Sequence, residues 1–292
     1  MRESESHFLE VRGLRYQLRR WPAVGTNSAG PKMVLLHGWM DVSASFQFLV
    51  DELRSNWDVY APDWRGYGMT EWGKSDCYWF PDYLADLDFL LQRIDGEMPA
   101  NLVGHSLGGN VAALYAGIRP ERIKKLVNLE GFGLPPTRPE QAPKRYLRWL
   151  DELHEGPRLR PYKDFADLAK KLRSNNPRLT DDRALFLARH WGKEEGGQVL
   201  LRGDPAHKVV NPLLYRYEEV HACWQQVTAP VLWIEATESD TLKRMNLDVM
   251  HLEDRRAAFR TLRLVRIERA GHMLHHDQPE ALARHVEEFL LG

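Results

Sequence analysis

The sequence is poor in the features that mark secreted, membrane-embedded or nucleic-acid-binding chains. Only two cysteines, Cys77 and Cys223, occur in 292 residues. They leave room for at most one bridge and cannot build a disulfide framework, which fits a reducing compartment. No stretch approaches the ~20 apolar residues that span a bilayer. The N-terminal MRESESHFLEVRG is polar and acidic and lacks the apolar stretch of a signal peptide. A cytoplasmic protein without membrane insertion is expected. Forty Lys and Arg against 41 Asp and Glu leave a formal charge of −1, too little to gather nucleic acid or an anionic membrane. G-x-G-x-x-G is absent, and Gly68–Ser75 carries the G-x-x-x-x-G-K-S/T spacing without a helix opening at its Lys-Ser, since the next helical pattern starts at Pro81, so no nucleotide is expected. Repeats and low-complexity tracts are also missing.

What is present reads as an α/β protein. The chain is long for one simple core and short for two full domains, which favours one core carrying a sizeable insertion. Short apolar runs alternate with helical patterns, as in a mostly parallel sheet with helices on both faces. Strands are expected at Lys32–Leu36, Trp57–Ala61, Asn101–Val103, Ile123–Leu129, Val231–Ile234 and Leu262–Ile267. Helical spacing of apolar residues marks Ser45–Arg54, Pro81–Ile94, Asn110–Ile118 and Pro279–Leu291. From 134 to 211 the strand-like runs stop. Pro135, Pro136, Pro139 and Pro143 mark an irregular exit, and three helical patterns follow at Lys144–His154, Tyr162–Ser174 and Thr180–Trp191. The expected organisation is a core of 1–133 and 212–292 with a helical cap at 134–211.

Residues 104–108 read Gly-His-Ser-Leu-Gly, the G-x-S-x-G pattern. The pattern alone is weak, but here a buried strand precedes it and a helix pattern follows. A sharp strand-to-helix turn lifts a serine hydroxyl above the sheet, and small residues two positions to either side let neighbouring backbone approach. The helix N-terminus then favours negative charge developing at the site. Ser106 is the expected nucleophile.

His37-Gly38, Asp63-Trp64-Arg65-Gly66-Tyr67-Gly68, Gly104-His105-Ser106-Leu107-Gly108-Gly109 and Gly271-His272 follow one another in the order and rough spacing of the α/β-hydrolase superfamily. The chain resembles the esterase, haloperoxidase-like and dehalogenase-like branch with a helical cap, over nearly its whole length outside that cap. The resemblance implies that His272 is the general base. It also implies an oxyanion hole made by the backbone N–H groups of Leu107, after the nucleophile, and Trp39, after the His-Gly pair. His37 and the Asp63–Gly68 loop read as structural, and His275 and His276 as local packing or pocket rim.

The acid must lie between Ser106 and His272 in the chain. Asp240, in the loop after Val231–Ile234, has the commoner location but sits about one residue later than the usual spacing. Glu130 is its rival. It ends the strand Ile123–Leu129 and matches where some dehalogenase-like members place a Glu. Glu235 and Glu238 are more distant choices. Asp240 is the expected acid, with Glu130 as the alternative.

A Ser106–His272–acid set suits hydrolysis of a carboxylic ester or related acyl compound through an acyl-enzyme, with a small-molecule substrate and no cofactor. Cofactor-free perhydrolysis and C–C bond hydrolysis use the same groups, and a ligand-binding regulator on this fold is a reading from another class. Haloalkane dehalogenases and epoxide hydrolases are disfavoured, since both need a carboxylate where Ser106 stands. His207 lacks spaced partners for a metal site, so none is expected. The basic stretch Lys144, Arg145, Arg148, Arg158 and Arg160 is interleaved with Asp151, Glu152 and Glu155 and reads as a solvated helix face.

Overall fold

The computed structural model describes residues 1–25 and 30–292. Eight strands form the main sheet: β1 (Glu5–Val11), β2 (Leu14–Trp21), β3 (Lys32–Leu36), β4 (Asp58–Pro62), β5 (Ala100–His105), β6 (Ile123–Leu129), β9 (Val231–Ala236) and β10 (Leu262–Ile267). Their spatial order is β1-β2-β4-β3-β5-β6-β9-β10. The last six run parallel, whereas β1 and β2 pair antiparallel with each other and β2 pairs antiparallel with β4. The N-terminal hairpin was not read from the sequence. Its turn is Arg12-Gly13, with φ of 51° and 76°, the two-residue turn with positive φ at both positions that matches strand twist.

Alternation along the buried strands builds two cores, one on each face. Val34, Leu36, Leu102, Leu126, Val231 and Trp233 face one side. There they pack against α2 (Phe80–Asp95) and α3 (Leu107–Ile118), with α7 (Tyr217–Trp224) supplying Trp224. Met33, Leu35, Val103, Val127, Leu232 and Ile234 face the other. That side is covered by α1 (Gln47–Asp51) and α11 (Pro279–Leu291), whose Leu282, Val286 and Leu290 are buried.

Residues 134–211 contribute nothing to the main sheet, but they are not helical throughout. Helices α4 (Ala142–Glu155), α5 (Phe165–Asn175) and α6 (Asp181–Trp191) are followed by an antiparallel pair, β7 (Gly192–Glu195) and β8 (Gln198–Leu201). Gly196-Gly197, both at positive φ, make its turn. The expectation of helices alone missed this hairpin because its strands are four residues each and the first, Gly-Lys-Glu-Glu, is charged, although Gly-Gly between two runs is a hairpin signal. Leu168, Leu172, Ala184, Leu187 and Val199 give the insertion its own small core, seated on Phe48 of the main domain. Helix α4 buries no residue.

Parallel strands deliver their C-terminal ends to one edge, the usual place for a site in such sheets. Here that edge gathers the segments after β3 (His37 to Asp41), β5 (Ser106), β6 (Glu130), β9 (Thr237 to Asp240) and β10 (Glu268 to His272). The two remaining short helices near it are α8 (Thr241–Arg244) and α10 (Leu274–Asp277), with α9 (Val249–Ala257) between them in the chain.

Candidate active site

Strand β5 ends at His105 and helix α3 begins at Leu107, so a single residue makes the turn. That residue, Ser106, is held at φ 51° and ψ −114°. Such a conformation is strained for a side-chain-bearing residue and persists only where the surroundings impose it. They do so here by packing. A Cβ on Gly108 would lie 2.1 Å from the Leu36 carbonyl oxygen, and one on Gly104 would lie 2.4 Å from that of Gly108. The Ser106 N–H donates to the Leu129 carbonyl at 2.9 Å, and its own carbonyl accepts from Asn110 N–H at 2.9 Å.

The loop after β3 runs alongside this turn. A Cβ on Gly38 would be 3.3 Å from Ser106 Cβ and 2.9 Å from His105 Nδ1, so only glycine lets the backbone leading to Trp39 pass. Leu107 opens α3, where the first N–H groups have no partner within the helix. The Trp39 side chain is 54% exposed, and its indole donates to the His207 carbonyl at 3.2 Å. That contact pins the ring to the insertion. His37 is buried and structural in its contacts. Its Nε2 accepts from Trp64 N–H at 2.9 Å and its Nδ1 donates to the Gly38 carbonyl at 2.8 Å. Burial lowers its pKa, consistent with this neutral tautomer.

His272 lies in the loop after β10. His105 Nε2 donates to its carbonyl at 2.8 Å, and the two rings are 4.8 Å apart. The loop that carries the base is thereby tied to the residue preceding the nucleophile. His272 Nδ1 faces Glu130 Oε2 at 3.3 Å; the histidine side chain is 22% exposed and the carboxylate only 1%. Glu130 accepts two further hydrogen bonds, Oε1 from Ala236 N–H at 2.8 Å and Oε2 from the Ser239 hydroxyl at 2.5 Å. It too is held at positive φ, 56°.

Asp240, expected from the sequence to be the acid, is placed elsewhere. Its side chain is 68% exposed and pairs with Arg244 at 3.1 Å, at the head of α8 and away from the imidazole. The reason is register. The preceding residue, Ser239, is the one that reaches inward, and it donates to Glu130. Glu238 pairs with Arg178 of the insertion, and Glu235 is held by Arg256 at 3.1 Å and Arg266 at 3.3 Å. His275 and His276 are buried rather than at a pocket rim. Ser239 and His105 are site residues that sequence reasoning missed. Ser239 stands at the commoner spacing and could have been found there, whereas His105 occupies a variable position of its motif.

The insertion grips this region at several points. Asn176 donates to Asp277 at 2.7 Å, Arg183 to the His276 carbonyl at 2.6 Å and Trp191 to Ser45 Oγ at 3.1 Å. A cavity of about 730 Å³ runs along α3, lined by Trp79, Leu84, Asn110, Leu114 and, from α4, Tyr146. Ser106 and His272 do not line it; its nearest residue in the chain is Asn110, one turn beyond the nucleophile.

A serine held on a strained strand-to-helix turn, an imidazole whose loop is tied to the residue before that serine and a buried carboxylate facing that imidazole are gathered at one edge of a parallel α/β sheet. Residues 31–279 match the family described as alpha/beta hydrolase fold, and the chain belongs to that family of hydrolytic enzymes. It is 26% identical over 277 residues to a serine hydrolase-like protein of Danio rerio, covering 90% of this chain and 82% of the relative. Among solved structures, the thioesterase domain from the curacin biosynthetic pathway superposes with a TM-score of 0.84 at 24% identity, over 98% of this chain and 99% of that one. An esterase from Mycobacterium tuberculosis gives 0.71 at 19% identity, over 99% and 92%. Among the described residues, no helix is long and apolar enough to cross a membrane.

Proposed function

We propose that this enzyme is a serine hydrolase that cleaves a carboxylic ester or related acyl compound through an acyl-enzyme on Ser106, with His272 as base and Glu130 as acid. The observation that carries the reading is the buried Glu130 carboxylate on His272 Nδ1. A carboxylate there fixes the imidazole with its proton on Nδ1, which leaves Nε2 to take the serine proton. The hydroxyl oxygen then adds to the acyl carbonyl, and the oxyanion is met by the N–H groups of Leu107 and Trp39. His272 passes its proton to the leaving group, and the acyl-enzyme forms. A water molecule activated by the same imidazole releases the acid and restores Ser106. Glu130 keeps its charge throughout and stabilises the imidazolium.

The assignment of Trp39 and Leu107 is supported by the close passage of Gly38 beside Ser106 and by the start of α3 at Leu107, where the first N–H groups have no partner within the helix. A thioesterase domain and an esterase stand among the structural neighbours, in keeping with this substrate class. Residues 134–211 act in this reading as a lid that sets substrate choice, supported by their contacts with the loops that carry the site. Free thiols at Cys77 and Cys223 suit a cytoplasmic enzyme. The test is covalent labelling with a fluorophosphonate, followed by a panel of esters and thioesters of graded acyl length. Stoichiometric labelling at Ser106 with turnover of at least one acyl series is expected. Labelling at another serine refutes the assignment.

A further inference from the structure

Behind the nucleophile turn lies a chain of buried polar side chains that the proposed mechanism does not use. It consists of Asp41, His275, His276 and His105, all buried. Asp41 follows Trp39 by two residues. Its Oδ1 accepts from Val42 N–H at 2.8 Å and from the Ser45 hydroxyl. Its Oδ2 has no hydrogen-bond partner among the described residues, and neither has either ring nitrogen of His275 nor His105 Nδ1. His275 Nε2 lies 3.8 Å from Asp41 Oδ2. The His275 ring is 4.5 Å from that of His105, which in turn donates to the His272 carbonyl.

Buried carboxylates and imidazoles without partners are costly, so groups this close are expected to pair. A small rotation of the His275 ring would bring 3.8 Å to a hydrogen bond of about 2.8 Å. The carboxylate is ready for it: despite burial, His275, His37 and the Ser45 hydroxyl hold Asp41 below its ordinary pKa. The pair joins three parts of the site. Asp41 carries the loop of Trp39, His275 sits on the segment of His272, and His105 precedes Ser106.

We propose that Asp41 and His275 are a second carboxylate–imidazole pair that positions the oxyanion hole, holding the Trp39 N–H in register with Ser106 and His272. They are positioning residues and touch no reacting atom. The inference rests on the acyl-transfer reading above. Its consequence is selective. Loosening the pair weakens binding of a tetrahedral oxyanion while leaving binding of the uncharged substrate nearly unchanged.

The experiment uses the full-length enzyme with His275→Leu, His275→Gln and Asp41→Asn. The control is Phe46→Leu, whose wild-type ring packs on His275 at 5.2 Å but carries no polar group. Each is assayed for kcat and KM on an ester that the native enzyme turns over, and for inhibition by an alkyl boronic acid, which forms a tetrahedral adduct on serine. His275→Leu and Asp41→Asn are expected to lower kcat by about 10- to 100-fold, less than the full loss of an oxyanion donor, with KM within about twofold. Boronate affinity should fall in parallel, and His275→Gln, which keeps an N–H donor, should recover part of both. Phe46→Leu should lower the melting temperature without changing boronate affinity. Boronate affinity that is unchanged in His275→Leu, or that falls equally in Phe46→Leu, overturns the proposal. So does a stoichiometric divalent metal in the purified enzyme that Asp41→Asn abolishes, since Asp41, His275 and His276 offer ligand atoms within 4.8 Å of one another. If a fluorophosphonate fails to label the native enzyme at Ser106, the acyl-transfer reading falls and takes this one with it. Normal labelling with indifferent variants sinks the positioning role alone.

Discussion

Replacing Glu130 by Gln keeps the shape of the side chain and removes its charge, so it isolates what the carboxylate does. In the native site Oε1 accepts from Ala236 N–H, while Oε2 accepts from Ser239 and faces His272 Nδ1. An amide can satisfy only part of this. If its NH2 group takes the Oε1 position, two donors meet at Ala236. If it takes the Oε2 position, it donates to His272 Nδ1 and drives the imidazole proton to Nε2, the nitrogen that must accept from Ser106. The second arrangement leaves the backbone amide satisfied and is the one expected, and it is catalytically the wrong tautomer. Asp-to-Asn changes in known triads cost about 10⁴ in kcat for this reason, which corresponds to roughly 5 kcal/mol at 1.36 kcal/mol per tenfold. Asp240→Asn breaks only an exposed pair with Arg244, worth about 0–1 kcal/mol to stability, and should change kcat by less than about twofold. The assay is steady-state ester hydrolysis by both variants side by side, with melting curves to show that each is folded. A Glu130→Gln enzyme retaining more than a tenth of native kcat refutes this assignment, as does a crippled Asp240→Asn.

Ser106→Ala should abolish fluorophosphonate labelling and turnover while the melting temperature stays near that of the native protein, checked by gel-based labelling and calorimetry. His272→Ala should cut kcat by about 10⁴ or more, and retention of most activity would move the base elsewhere. Gly108→Ala drives a methyl group into the Leu36 carbonyl oxygen and should cost at least about 1–3 kcal/mol in urea unfolding; a variant as stable as the native protein contradicts the packing described for the turn. Acid should also destabilise the fold through buried histidines. His207, stacked between Tyr67 and Tyr78 at 3.7 and 3.9 Å, is pushed down to about 3 by burial, from 6.5. The unfolded chain therefore binds the extra proton, and stability is lost as pH falls from about 6.5 toward 3. His207→Phe should flatten that acid limb in melting curves without removing it, because burial also lowers His105 and His276; an unchanged slope counts against the reading.

What could be read ahead of the structure followed from how strongly local chemistry constrains each part. Strands β3, β6 and β10 were placed to the residue because each is a short run rich in Val, Ile, Leu or Met bounded by turn or helix signals. Ser106 was legible because the turn admits few residues around it: the glycines at 104 and 108 are demanded by contacts of 2.4 and 2.1 Å that any side chain would violate. The β1–β2 and β7–β8 hairpins escaped because edge and insertion strands of this kind are half polar, and their pairing with a neighbour, not their own composition, makes them strands. The acid escaped for a different reason. The end of β9 and the loop after it offer Glu235, Glu238 and Asp240 within six residues, and composition alone cannot say which of them turns inward. The structure shows that none of the three reaches His272. The inward position falls to Ser239, a hydroxyl that cannot balance an imidazolium but can donate to a carboxylate. A loop bearing a donor there is complementary to an acid supplied from the opposite side, and Glu130, at the end of the adjacent strand β6, is the side chain long enough to take both the Ser239 hydroxyl and the imidazole. The serine and the glutamate are thus two halves of one arrangement, and a sequence with Ser at the commoner acid position and Glu at the end of β6 carries a signal that neither residue holds by itself.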